Sequence, residues 1–243
     1  MIYQSRLLDS QYTIKKFNED LYKLTMFKYA RLNTEIERVV SRDVNEHRLD
    51  NNISRAKNKI FEYAACNEFD YFLTLTLDQG KYDRYNLEKY IKDLGQFIRD
   101  YRKKYNTNIQ YLLIPEPHKD GAWHMHGLIK GINSEHLTTN SNGYLHWQQY
   151  SDKFGYCSVD LVRSQEAISK YITKYISKTL QADLIQDKNK KLYYNSRGLK
   201  TAQKVKEGTL NRELNVPFDY ENDYVRTKML NGLEYLSLDN QLE

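Results

Sequence analysis

The 243-residue chain has few residues that staple or break a fold: two cysteines, three prolines and ten glycines. Cys66 and Cys157 stand alone, with no C-x-x-C pair, which excludes a disulfide framework and a thiolate zinc cluster. They are expected to be reduced, buried thiols. So few prolines and glycines exclude collagen-like and linker-rich architectures. No run approaches the ~20 apolar residues of a membrane span, and residues 1–10 have no apolar signal core, so the expected location is the cytoplasm. Also missing are internal repeats and any G-x-x-x-x-G-K-[ST] loop, so nothing suggests a built-in nucleotide-driven motor.

What is present suits one packed core with an accessory segment. Hydrophobic residues make up 40% and charged residues 28%, with a mean hydropathy of -0.81. The 22 Tyr, 8 Phe and 2 Trp supply apolar area that disordered chains lack. The net charge of +5 is unevenly spread. Residues 1–60 hold 12 Lys/Arg against 8 Asp/Glu, residues 61–130 hold 10 against 10, residues 131–212 hold 13 against 7, and residues 213–243 hold 2 against 7. Basic flanks around a neutral middle are compatible with a polyanionic partner, and the tail is acidic.

Residues 12–65 lack Pro and Gly, and Leu21, Leu24, Ile53, Ala56, Ile60 and Ala64 fall at helical spacing, so an all-helical accessory region is expected at 1–65. Residues 71–77 alternate as a strand, residues 86–104 as a helix stopped by Asn106 to Asn108, and residues 109–116 as a second strand. Asp120-Gly121 signals a tight turn leading into a partner strand over 123–130. A short strand at 157–162, a helix at 165–180 and a last strand at 191–194 complete the pattern. The expectation is an α+β fold: a central antiparallel sheet of about five strands with flanking helices over 66–200, plus a C-terminal extension at 201–243.

Two constellations carry chemistry. In the first, His124 and His126 are two apart on one strand and so share a face, with Cα atoms about 7 Å apart, while Met125 and Gly127 face the other way. The turn folds Glu116 back beside His124. Two imidazoles and a carboxylate can hold Mg²⁺, Mn²⁺ or Zn²⁺ with positions open to a substrate oxygen. The alternative is a pair of hydrogen-bonded strand histidines. His118 is a possible extra ligand or a solvated loop histidine.

In the second, one helix carries an apolar stripe of Ile168, Ile172, Ile176 and Thr179 beside a stripe of Tyr171, Lys174, Tyr175 and Lys178. The bland reading is tyrosines flanking a core with snorkelling lysines. The chemical reading starts from the phenol, a weak nucleophile with a pKa near ~10. A neighbouring ammonium favours the phenolate, and a metal polarises a phosphate. Together these describe metal-assisted transesterification of a phosphodiester through a covalent tyrosyl intermediate.

These residues resemble the HUH endonuclease superfamily, most closely the rolling-circle replication initiators (Rep proteins) of small plasmids and single-stranded-DNA phages. Phe72-Leu73-Thr74-Leu75-Thr76 looks like its first motif, His124-Met125-His126-Gly127-Leu128 like its histidine motif and Tyr171-x-x-Lys174-Tyr175-x-x-Lys178 like its tyrosine motif. The resemblance covers roughly residues 66–200 and implies the following expectations. His124, His126 and Glu116 would bind Mg²⁺ or Mn²⁺, and Tyr171 and Tyr175, supported by Lys174 and Lys178, would be catalytic. Thr74 and Thr76 would have a structural and DNA-positioning role. The partner would be a single-stranded or hairpin origin, with a host helicase and DNA polymerase recruited in a bacterial host cell. A conjugative relaxase, a tyrosine transposase, a non-catalytic DNA-binding regulator and a zinc hydrolase are the competing readings.

Overall fold

The computed structural model describes residues 10–28, 46–140, 143–181, 191–210 and 214–242, with the backbone alone at 10, 46–51 and 174–181. In chain order the elements begin with β1 (Ser10–Asn18), β2 (Leu21–Phe27), α1 (Glu46–Cys66), β3 (Tyr71–Thr76), α2 (Leu87–Tyr105), β4 (Gln110–Pro117) and β5 (Trp123–Lys130). They continue through β6 (Leu137–Thr139), β7 (Leu145–Trp147), α3 (Gln148–Lys153), β8 (Cys157–Leu161), α4 (Gln165–Gln181) and β9 (Tyr194–Asn195). The chain closes with β10 (Gln203–Leu210), β11 (Tyr220–Glu221), β12 (Val225–Leu230) and α5 (Gly232–Asp239). The architecture is α+β, divided into one unit over residues 45–200 and another built from residues 1–44 and 201–243.

In the unit spanning residues 45–200, a seven-stranded antiparallel sheet has the order β6-β7-β8-β3-β5-β4-β9, two strands more than expected. Strand periodicity of two gives the sheet two different faces. Leu73, Leu75, Leu113, Met125, Ile129 and Val159 point to one face, where Tyr90, Leu94, Phe97 and Ile98 of α2 and Tyr150 of α3 cover them. The α2 helix forms because those apolar positions recur at three- and four-residue spacing. It starts where the Asn86 side chain accepts from the Lys89 N–H, and it stops at Asn106, whose φ of 48° is left-handed.

On the opposite face, Phe72, Leu112, Ile114 and Leu128 pack against Ala56, Ile60 and Ala64 of α1 and Ile172 of α4. The apolar stripe expected on α4 is therefore seated at Ile172 and Ile168, while the side chains of Ile176 and Thr179 lie outside the described residues. Cys66 and Cys157 are buried free thiols, and burial pushes both up to about 12, so they remain protonated.

The other unit corrects the expectation of an all-helical N-terminus. Residues 10–27 form a β-hairpin within a five-stranded sheet of order β10-β1-β2-β12-β11, and among the described residues helix begins at α1. Tyr12, Ile14, Tyr22, Leu24 and Met26 are all buried with Leu210, Leu230 and Leu238, an alternation of period two that matches the pleat. The hairpin turns without glycine because the Asn18 side chain accepts from the Asp20 N–H.

Gly127 is required by close approach. It pairs with Leu113 on β4 and Leu73 on β3, and a Cβ there would lie 2.5 Å from the Leu112 carbonyl oxygen and clash with Leu113 Cδ2. Backbone cannot yield as a flexible side chain can. Gly127→Ala is expected to lower the unfolding free energy by about 1–3 kcal/mol, read from the urea midpoint.

Candidate functional site

Three neighbouring strands each contribute alternate residues to the face that α1 and α4 cover only in part. The β3–β5 register places Phe72 opposite Leu128, Thr74 opposite His126 and Thr76 opposite His124. The β4–β5 register places Leu112 opposite Leu128, Ile114 opposite His126 and Glu116 opposite His124. Along each strand the face thus changes from apolar to polar, because the helices seal one end and leave the other to half-buried Thr, His and Glu.

The hairpin that brings Glu116 back closes as expected. Gly121 has a φ of 83°, and the His118 N–H donates to the Ala122 carbonyl at 2.7 Å. Arg84 also holds Asp120 at 3.2 Å. The two imidazoles project together, with ring centroids 6.5 Å apart and planes 7° from parallel. Glu116 lies opposite His124 in register but bonds diagonally, with His126 Nε2–H donating to its Oε2 at 2.6 Å.

Each ring is also held from behind. Thr76 Oγ1 lies 3.0 Å from His124 Nδ1, and Thr74 Oγ1 lies 3.1 Å from His126 Nδ1. Engaging Nδ1 fixes the ring orientation and leaves Nε2 as the working nitrogen. In neutral His126, the Nε2 proton goes to Glu116 and the Thr74 hydroxyl donates to Nδ1. Burial, followed by the cationic forms of His118 and His126, pushes His124 down to about 4, so its lone pair is available near neutrality. His118, exposed at the end of β4, stacks on His124 with centroids 3.6 Å apart.

Phe72 connects this cluster to α4. Its buried ring stacks on His126 at 6.2 Å and meets Tyr171 edge-on at 5.5 Å. Tyr171 itself is 41% exposed. The side chains of Lys174, Tyr175 and Lys178 lie outside the described residues, although their backbone continues α4. The structure thus brings Glu116, His124 and His126 into one cluster and puts Tyr171 at its apolar border.

The roles of Thr74, Thr76 and Phe72 at the histidines depend on pairing between distant strands. The signal for them was the alternation at 72, 74 and 76 on a strand that pairs with the histidine strand. Among the described residues, no group of three or more His, Cys, Asp or Glu side chains is placed to hold a metal ion. The donor chemistry nevertheless suits a divalent ion: two imidazole nitrogens, one carboxylate, and a proton between His126 and Glu116 that a cation can replace. The exposed Tyr171 ring lies one aromatic contact away, across Phe72.

Residues 70–180 match the family model of replication-associated protein ORF2. That segment runs from β3 into α4 and contains Thr74, Thr76, Glu116, His124, His126, Tyr171 and Tyr175. No curated protein and no solved structure matches the chain. Similarity to this family is consistent with a role in initiating replication.

The His124 environment has a measurable consequence. In chelator-treated protein, the His124 ring resonances are expected to titrate near 4 rather than 6.5 in an NMR pH series. The unfolded chain binds more protons than the folded chain between those values. The contribution of His124 to stability is therefore present above about pH 6.5 and lost as pH falls toward 4.

Proposed function

We propose that the chain is a rolling-circle replication initiator: a site-specific, metal-dependent DNA nickase and strand transferase. One observation carries the reading. The Tyr171 phenol stands edge-on to Phe72, which stacks on His126 of the His-Glu cluster, inside the segment similar to replication-associated proteins.

In the nicking step the Tyr171 phenolic oxygen attacks the scissile phosphorus and loses its proton. The P–O3′ bond breaks, its electron pair stays on O3′, and that oxygen takes up a proton. The products are a 5′-phosphotyrosine and a free 3′-OH, with the number of phosphoester bonds unchanged, so strand transfer needs no ATP. Tyr175, one turn further along α4, would repeat the chemistry, with the Lys174 and Lys178 ammonium groups offsetting charge on the phosphoryl oxygens. His124, His126 and Glu116 would hold Mg²⁺ or Mn²⁺, which supplies Lewis-acid polarisation of the phosphate. Thr74 and Thr76 engage Nδ1 of each imidazole and so leave Nε2 for the ion. The DNA target is a single-stranded or hairpin origin, and a host helicase and polymerase extend from the 3′-OH.

The test is incubation of supercoiled origin DNA with Mn²⁺. Wild type is expected to yield nicked circles and a denaturation-resistant protein–DNA adduct. The Tyr171→Phe/Tyr175→Phe double variant should yield neither, and nicking or an adduct from it would overturn the assignment. His124→Ala should abolish cleavage while retaining much of the binding.

The threonines make a separate prediction. Thr76→Val keeps the β-branched shape but removes the oxygen that engages His124 Nδ1. Mn²⁺ affinity by isothermal titration is expected to fall about 10–100-fold with little change in thermal unfolding.

A further inference from the structure

The face that carries the histidines extends beyond the strands α1 and α4 cover. Thr74 pairs with Ser158 and Phe72 with Asp160 on β8. The Thr76 N–H donates to the Tyr156 carbonyl at 2.9 Å, which continues the register and places Tyr156 opposite Thr76. The Leu145 to Val159 pairing sets His146 of β7 beside Ser158. The buried cluster beneath α1 and α4 takes residues from β3, β4 and β5, and none from β6, β7 or β8 among the described residues. Among the described residues, this leaves an uncovered wing on the same face as the cluster.

Tyr156 is the aromatic on that wing in line with the site. Tyr156, the residue just before β8, shares one row with Thr76 of β3, His124 of β5 and Glu116 of β4. Tyr156 lies two strands from His124, about 10 Å at ordinary strand spacing. It is 51% exposed, and among the described residues its side chain makes no hydrogen bond or ring contact. Burying a phenol ring normally offers a large apolar gain. An aromatic left open on a sheet beside a phosphate-handling cluster is what base stacking requires.

In-line displacement gives the direction. Tyr171 approaches from the Phe72 row, so the leaving O3′ departs on the opposite side of phosphorus, toward the Tyr156–His124 row. Exposed Asp160 stands in the Phe72 row and disfavours a phosphate path there, whereas the uncharged Ser158 stands in the row next to Tyr156.

We propose that this wing binds the strand on the 5′ side of the cut, with Tyr156 stacking on the base of the nucleotide that departs with the 3′-OH. The inference rests on the nickase reading. It makes Tyr156 a positioning residue that holds the 3′-OH product for rejoining.

The experiment uses an oligonucleotide whose cut position has been mapped with wild type, and the 5′-side product oligonucleotide ending in 3′-OH. Tyr156→Leu is expected to weaken binding of that product about 5- to 150-fold by fluorescence anisotropy. Tyr156→Phe should bind like wild type, which also controls for folding, and Tyr144→Leu, altering a tyrosine that is 60% exposed in the Phe72 row, should leave binding unchanged. An abasic site immediately 5′ of the cut should cost wild type a similar factor and add nothing to Tyr156→Leu. Wild-type cutting with product binding unaffected by Tyr156→Leu, or equal losses from this substitution on intact and abasic product, would overturn this inference alone. Absence of cutting by wild type would overturn the nickase reading and this inference with it.

Discussion

The candidate site depends on the register of β5 between β3 and β4. A slip of one residue would turn His124 and His126 into the apolar layer under α2 and expose Met125 and Gly127 in their place. Two features pin that register. Gly127 lets the β4 backbone approach so closely that a Cβ would clash with the Leu112 carbonyl, and Met125 and Ile129 are buried with Leu73, Leu75 and Leu113. The hydrophobic core and the polar cluster are therefore opposite faces of one strand pairing. The energy that orders the cluster comes mainly from the apolar face.

The covered face adds a second constraint. Apolar residues at Phe72, Leu112 and Leu128 give α1 and α4 a seat, and the polar residues further along the strands leave no apolar surface on which a helix could continue. Ile172 anchors α4 in that seat while Tyr171, its neighbour in sequence, is turned to Phe72 at the border. The tyrosine is placed by helix packing and the imidazoles by strand pairing. Phe72 touches both groups, so the two constellations meet through a residue that has no chemistry of its own.

What was legible in the sequence was local. β5 runs from Trp123 to Lys130 as expected, α2 starts and stops at Asn86 and Asn106, and the Asp120-Gly121 turn returns Glu116 to His124. Each depends on period, cap or turn chemistry within about twenty residues. The N-terminal hairpin was misread because Leu21 and Leu24 also satisfy a helical spacing, and its turn uses Asn18 rather than glycine. Its strand character is settled by pairing with β10 and β12, nearly 200 residues away, which no local window contains. The short strands β6 and β7 are three residues each, too brief to show alternation.

The same distinction separates the parts of the cluster. His-x-His is visible as a motif, but the hydrogen bonds that orient it come from Thr74 and Thr76, 52 and 48 residues earlier in the chain. A threonine alternating with leucine signals an ordinary strand with one polar face. Paired opposite histidines, it becomes the group that engages Nδ1 and leaves Nε2 to face the other way. The segment similar to replication-associated proteins includes both strands, so the smallest piece of chain that can orient the histidines extends back to β3. On the proposed reading, a phenol on α4 would add the nucleophile only once that orientation is in place, because attack on phosphorus needs the phosphate held before Tyr171 meets it.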